Sequence, residues 1–93
     1  MELRSEAKLL RIFLGEADKV KHTALYETIA REARKRGLAG ATVWRGIMGF
    51  GPTSRIRTAR ILDLSTDLPI VIEIADEEKK INLFLPVLHE LFE

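Results

Sequence analysis

Residues 46–60, GIMGFGPTSRIRTAR, combine the residue types that bind phosphate groups. Gly49 and Gly51 permit positive φ, so successive backbone N–H groups there can point at one anion. The arginines that follow can each donate two hydrogen bonds to phosphate oxygens. The sequence therefore predicts an anion site. Its candidate ligand-binding residues are Gly49, Phe50, Gly51, Thr53, Ser54, Arg55, Arg57 and Arg60.

The other side chains of this segment fit a nucleotide, but they also fit a structural role. Thr53 and Ser54 add hydroxyl donors, and Phe50 or Trp44 can offer an aromatic face to a base. The pattern is not a P-loop, because GxxxxGK[ST] is absent. The same residues equally suit a plain glycine turn whose arginines pair with acids of neighbouring subunits. The residues alone leave both interpretations open.

Charge is distributed unevenly along the 93 residues, although the net charge is only +1. Residues 33–62 carry seven bases and no acid, whereas residues 63–93 carry two bases and eight acids. This asymmetry indicates either an anion-facing centre or charge neutralisation across a subunit contact. We do not expect nucleic-acid binding, because Arg34, Lys35 and Arg36 have a sufficient explanation at the end of a helix.

Composition excludes several other classes of function. The chain has no cysteine, so it has no disulfide and no thiolate metal site. His22 and His89 are the only histidines and lie far apart, so we expect neither catalysis nor a metal site. No apolar run approaches the roughly 20 residues that span a bilayer. The N-terminus lacks the features of a signal peptide, so a cytoplasmic protein that is not membrane-embedded is expected.

The first half of the chain predicts a strand, a helix and a second strand. KLLRIFL at Lys8–Leu14 has apolar side chains on both faces and is typical of a buried central strand, and a polar connector follows over residues 15–21. Thr23 is placed to cap a helix that ends at Gly37. Alternation over Gly40–Phe50 predicts the next strand.

The second half predicts a strand and a helix after a long connection. Residues 51–67 form an expected flexible loop, and LPIVIEIA at Leu68–Ala75 predicts a strand that tolerates Pro69 at its start. Asp76 is expected to cap the last helix, and Pro86 to bend it. Glu73 is expected to pair with an arginine such as Arg45.

The order of these elements is βαββα, which predicts a single α+β domain over residues 1–93 with a ferredoxin-like fold. A fourth strand normally completes that fold, and this sequence shows none. The first strand is therefore expected to keep an open edge unless another chain covers it.

Four segments carry a resemblance to a known family: RIFLGE at 11–16, RGIMGFG at 45–51, SRIRTARILDLSTDLPIVIEI at 54–74, and the acid-led helix after Asp76. Together they resemble the domain of unknown function 190 family, a group of small bacterial and archaeal proteins described as PII-like. The layout is also similar to that of the PII nitrogen-signalling proteins. The resemblance implies a ferredoxin-like subunit, a homotrimer, and ligand clefts between subunits near the base of the loop.

Residues and resemblance together lead to one expected function and two alternatives. We expect a cytoplasmic, non-catalytic homotrimer without a permanent cofactor that senses an effector such as ATP, ADP or AMP and signals to a regulatory partner. One alternative is an adaptor trimer that regulates a membrane transporter or channel without a small-molecule ligand. The other is a trimer that binds divalent cations.

Overall fold

The computed structural model describes residues 6–51, 57–58 and 67–92. Its elements in chain order are β1 (Lys8–Gly15), β2 (Lys19–Val20), β3 (Thr23–Ala24), α1 (Leu25–Lys35), β4 (Ala41–Arg45), β5 (Met48–Gly49), β6 (Arg57–Thr58), β7 (Pro69–Asp76) and α2 (Glu78–Leu91). The chain is thus a small α+β domain with two helices and antiparallel sheets in the part described, and it is compatible with the predicted ferredoxin-like fold.

The main sheet has the order β1-β7-β4, and β7 is antiparallel to both of its neighbours. The first predicted strand and the predicted strand at Leu68–Ala75 are confirmed to within one residue at each end. The expectation that the first strand is buried and central is wrong, because β1 lies at the edge of the sheet and Leu9, Arg11 and Phe13 are exposed. Pro69 is the first residue of β7, as expected. In the described part of the chain β1 has a neighbour on one side only, so its predicted open edge is confirmed there.

The hydrophobic core lies between one face of this sheet and the two helices. Its residues alternate along the strands and recur at helical spacing in α1 and α2: Ile12, Ile70, Ile72, Ile74, Leu25, Ile29, Ala33, Ile81, Phe84 and Leu88. Burying each large apolar side chain contributes about 1.5–3 kcal/mol. The opposite face of the sheet carries no helix from the described residues, and Leu9, Phe13 and Trp44 are exposed on it.

The connector after β1 contains a β-hairpin that the sequence did not predict. Lys19–Val20 pairs with Thr23–Ala24 as a two-residue hairpin, whose turn residues Lys21 (φ 48) and His22 (φ 71) both have positive φ. The predicted role of Thr23 as a helix cap is therefore wrong. Thr23 lies in β3, Ala24 occupies the cap position, and no side chain caps α1.

The helix ends give one confirmation and one correction. Gly37 (φ 77) ends α1, as predicted, and its N–H donates to the Arg34 carbonyl at 3.1 Å. Asp76 does not cap α2, because Glu77 holds the cap position without a side-chain bond. The Asp76 carboxylate instead accepts hydrogen bonds from the backbone N–H groups of Ala39 (2.8 Å) and Glu77 (2.7 Å).

The helices also bear on two further predictions. Pro86 lies inside α2, as expected. The bend predicted there stays a prediction. Neither helix in the described residues has the length and apolar character needed to cross a membrane.

The predicted strand over Gly40–Phe50 is interrupted by close packing against Pro69. β4 ends at Arg45, and β5 pairs with β6 in a separate two-stranded sheet. A Cβ on Gly46 would lie 2.8 Å from Cγ of Pro69, and one on Gly49 would lie 3.2 Å from the same atom. Because the Gly46 N–H donates to the Pro69 carbonyl at 2.7 Å, the backbone cannot move away without losing that bond.

Gly46 and Gly49 therefore allow the backbone to pack closely against Pro69, and neither has a positive φ. Gly37 is the glycine with positive φ in the described residues, and neither Gly49 nor Gly51 shares that conformation. The positive φ on which the predicted anion nest depends is thus not present at these two glycines in this structure, and the anion site itself stays a prediction. What the turn requires at Gly46 and Gly49 is the absence of a side chain.

We expect Gly46→Ala to lower the free energy of unfolding by about 1–3 kcal/mol, as overpacking does. The new methyl group would meet the rigid ring of Pro69. Gly40→Ala is the matched control, because a Cβ there meets nothing within 4 Å and the φ angle is not positive. Urea unfolding followed by circular dichroism measures both. Equal stability of the two variants would contradict the packing argument.

Candidate functional site

Three strand ends meet at one end of the main sheet, which we call the Pro69 end and define by Gly15, Arg45 and Pro69. β1 and β4 both run antiparallel to β7, so both finish where β7 begins. Two backbone bonds prolong the pairing beyond the strands: Glu16 N–H to the Leu68 carbonyl (2.8 Å) and Gly46 N–H to the Pro69 carbonyl (2.7 Å). The residues that follow β1 and those that follow β4 are therefore anchored on either side of the residues at the start of β7.

At the Pro69 end, β1 is followed by a turn that the carboxylate of Asp18 stabilises. The Gly15 N–H donates to Oδ2 of Asp18 at 2.8 Å, and the Asp18 N–H donates back to the Gly15 carbonyl at 3.1 Å. The Ala17 N–H donates to Oδ1 of Asp67 at 3.0 Å, which ties the residues before β7 to the same turn. These bonds hold Glu16 in place between two anchored neighbours.

An ion pair joins the two sides of the Pro69 end. The guanidinium of Arg45 donates to Oε2 of Glu16. The Glu16 side chain is only 12% exposed, whereas that of Arg45 is 61% exposed and reaches solvent. The other carboxylate oxygen of Glu16, Oε1, is buried and has no hydrogen-bond partner among the described residues. Arg45 thus compensates a largely buried negative charge while part of its own guanidinium stays accessible.

This pair was not predicted, and the reason is the direction in which Arg45 points. In the register Arg45 lies opposite Ile70, whereas Thr42 lies opposite Glu73. Arg45 and Glu73 are therefore on opposite faces of the sheet. The expectation that Glu73 pairs with an arginine is confirmed, but the partner is Arg11 and not Arg45. Glu73 binds Arg11 and Trp44 instead. The sequence did hold a signal for the Glu16–Arg45 pair. Glu16 is the last residue of RIFLGE, just after β1, and Arg45 is the first residue of RGIMGFG, at the end of β4.

The hairpin of β5 and β6 brings together two of the predicted ligand-binding residues. Gly49 lies directly opposite Arg57 in the register of this pair. Phe50 and Gly51 follow β5 and are exposed, with 73% of Phe50 accessible. The remaining candidates, Thr53, Ser54, Arg55 and Arg60, lie outside the described residues. An arginine position thus lies beside the glycine turn, close along the chain to an exposed aromatic ring.

The same turn presents a run of exposed apolar side chains. Ile47 and Met48 are exposed beside Phe50, within the stretch that wraps Pro69. Clusters of exposed apolar side chains are typical of surfaces that contact a ligand or another protein. The Pro69 end therefore combines an accessible cation, an arginine-bearing hairpin and an apolar surface.

The histidines contribute nothing to this site. His22 lies in the turn between β2 and β3, and His89 lies on the exposed side of α2. In the part of the chain that the structure describes, no group of three His, Asp or Glu side chains is arranged to hold a metal ion.

Sequence comparison identifies the relatives of this chain. Residues 7–93 match the DUF190 family, described as Uncharacterized ACR, COG1993. A UPF0166 protein of Aquifex aeolicus is 46% identical over 78 residues, which cover 84% of this chain and 74% of the relative. A UPF0166 protein of Methanocaldococcus jannaschii is 40% identical over 86 residues, covering 92% of this chain and 79% of the relative. The family expected from the motifs is confirmed.

We expect Arg45→Gln to destabilise the fold by about 1–2 kcal/mol at neutral pH, because it removes a charged hydrogen bond from a mostly buried carboxylate. The matched control is Arg31→Gln. Arg31 pairs with Glu27 at 2.8 Å, but both side chains are well exposed, and such pairs contribute at most about 0.5 kcal/mol. Chemical denaturation of the three proteins measures the difference. A loss for Arg45→Gln no larger than that of the control would show that the pair is merely a surface contact.

Proposed function

The chain belongs to the DUF190 family, and we propose that it is a PII-like, non-catalytic regulatory protein of the cytoplasm. In this proposal it assembles as a homotrimer and binds a small phosphate-bearing effector, with an adenine nucleotide as the best single candidate. The effector would lie at the Pro69 end, held by the glycine turn and the arginines that follow it. The family match itself carries no activity, so the proposal rests on the site.

One observation carries the effector part of this proposal: Gly49 and Arg57 are register partners. This register sets an arginine position directly beside the glycine turn, so an anion bound at the turn would have an arginine as its neighbour on the hairpin. Arginine suits phosphate because its planar fork donates two parallel hydrogen bonds to the oxygens. Phe50, exposed at the end of β5, is available to stack on a base.

Regulation rather than catalysis fits the side chains that the chain possesses. The sequence has no cysteine nucleophile and only two histidines. The groups described at the Pro69 end are glycines, an ion pair and exposed apolar residues, a set that suits binding and positioning. An effector bound there would change the surface that the Pro69 end offers to a partner protein, a known type of switch.

Homotrimer formation is part of the proposal because the resemblance to PII-like proteins implies it and the surface supports self-association. Large apolar side chains are exposed both on the sheet face and on the turn that wraps Pro69. A chain of 93 residues also buries a limited share of its own surface, so assembly adds stability that the single subunit lacks.

Equilibrium binding of ATP, ADP, AMP and cyclic adenine nucleotides, with and without magnesium, tests the effector. We expect saturable binding in the micromolar range, weakened at least about tenfold in Arg55→Ala and in Arg57→Ala by loss of charged hydrogen bonds. The mass of the assembly should not change in either variant. Arg31→Ala is the control, because this exposed arginine lies on α1 and pairs with Glu27. Absence of binding across the panel, or equal binding by all variants, would refute the effector site.

Sedimentation equilibrium tests the assembly. We expect a species of three times the chain mass at micromolar concentration, since the exposed apolar surface favours association. Supplying the effector should leave the stoichiometry unchanged. A monomer or a dimer across the whole concentration range would refute the trimer.

A second candidate function is that of an adaptor trimer that regulates a membrane transporter or channel and binds no small molecule. The exposure of Ile47, Met48 and Phe50 favours it, since such a turn suits a protein contact. This alternative differs from the first in one measurable respect: its trimer is indifferent to every nucleotide.

A further inference from the structure

We propose that Arg45 is a further effector-binding residue of the Pro69 end, and that Glu16 is the positioning residue that holds its guanidinium. The group that Arg45 would bind is a phosphate of the effector. This inference rests on the proposed function, because it takes the effector to lie at the Pro69 end. It adds a residue that precedes the glycine turn and that the sequence assigned only to an ion pair.

Arg45 contacts Glu16 through one nitrogen only. Nη2 of Arg45 donates to Oε2 of Glu16, and this guanidinium makes no other hydrogen bond to the described residues. By comparison, Arg31 donates to Glu27 through both Nε (3.3 Å) and Nη2 (2.8 Å). Because a guanidinium carries its N–H donors on two edges, the contact with Glu16 leaves one complete two-donor edge free. Phosphate oxygens bind such an edge through two parallel hydrogen bonds.

The accessibility of the two partners allows Arg45 to bind a ligand without leaving Glu16. The Arg45 side chain is 61% exposed, whereas that of Glu16 is only 12% exposed. A largely buried carboxylate that lost its counter-ion would be strongly destabilised, and Oε1 of Glu16 already lacks a partner among the described residues. Arg45 therefore stays with Glu16 and offers its free edge to the ligand from the solvent side.

The surroundings of Glu16 suit a positioning role. Its backbone N–H donates to the Leu68 carbonyl at 2.8 Å, and the carboxylates of Asp18 and Asp67 hold the backbone on either side of it. The backbone of Arg45 is fixed in turn, as the last residue of β4. A long side chain that is held at both ends loses little further conformational freedom when it binds a ligand, and this favours binding.

The direction of Arg45 indicates where the phosphate would lie. Arg45 is opposite Ile70 in the register, and Ile70 is buried against the helices, so Arg45 belongs to the helix-bearing face of the sheet. The glycine turn begins directly after it at Gly46, and Gly49, farther along the turn, lies opposite Arg57. Arginine positions thus flank the turn, which gives a phosphate bound there donors from two segments of the chain.

A substitution that preserves charge tests the contact made by Arg45. Arg45→Lys keeps a positive charge beside Glu16 but removes the two-donor edge, since an ammonium group is a point charge. We expect about tenfold weaker binding of the adenine nucleotide that the wild-type protein binds most tightly, from loss of a charged hydrogen bond. Arg31→Lys, the same change in the exposed pair on α1, is the matched control and should bind as the wild type does. Wild-type affinity in Arg45→Lys would overturn the assignment.

A second charge-preserving substitution tests the role of Glu16. Glu16→Asp withdraws the carboxylate by one methylene group, so the guanidinium is no longer held in place. We expect about threefold to tenfold weaker binding, and no further loss when Glu16→Asp is added to Arg45→Lys. A purely structural role would instead give losses that add. Glu27→Asp is the matched control, and circular dichroism checks that each variant folds. Additive losses, or wild-type affinity in Glu16→Asp, would overturn the positioning role.

A measurement on the wild-type protein decides the contact even if a variant does not fold. The Nε–H signals of the arginines are followed by nuclear magnetic resonance in isotope-labelled protein while inorganic phosphate is added. We expect a saturable shift of the Arg45 signal and no shift for Arg31. A uniform shift of all arginine signals, or none at Arg45, would overturn the inference.

These outcomes are distinguishable from failure of the proposed function. A wild-type protein that binds no nucleotide refutes the proposed effector, and the assignment of Arg45 then stands or falls by its response to inorganic phosphate. Nucleotide binding that Arg57→Ala weakens and Arg45→Lys leaves unchanged supports the proposed function and overturns this inference.

Discussion

The alternation of side chains along β7 is the constraint on which the rest of the structure depends. Ile70, Ile72 and Ile74 are buried against the helices, and Val71 and Glu73 lie between them on the other face. β7 is the central strand, so each of these residues meets a partner on both sides. A slip of one residue in register would turn the isoleucines to the face that carries no helix and remove the core. The core therefore fixes where Glu73 must point.

The position of Pro69 at the start of β7 has a comparable effect on the Pro69 end. The ring occupies the space that a side chain at position 46 would fill and leaves little room for one at position 49. The strand predicted over Gly40–Phe50 therefore ends with β4. The chain then enters a separate hairpin, in which Arg57 lies opposite Gly49. The glycines of the motif act through packing, and the proposed ligand contacts depend on the turn that this packing shapes.

One strand, β4, contributes to both faces of the main sheet. Trp44 lies on the face that carries no helix and donates to Glu73, whereas Arg45, the next residue, belongs to the Pro69 end and donates to Glu16. Successive residues of a strand point to opposite faces, so one short strand serves both surfaces. Each of these bonds joins β4 to another part of the sheet, which gives an edge strand of five residues more support than its backbone pairing alone.

The sequence by itself determined the main elements, the buried isoleucines of β7, the end of α1 at Gly37 and the family. These follow from local periodicity and from residues with strong conformational preferences, such as glycine and proline. Tertiary structure decided the rest: the pairing of Glu16 with Arg45, the bridging of Arg11 and Trp44 by Glu73, the cap of α2 and the break after β4. Each depends on which residues of distant segments share a face or a strand end, and that is set by register rather than by local sequence.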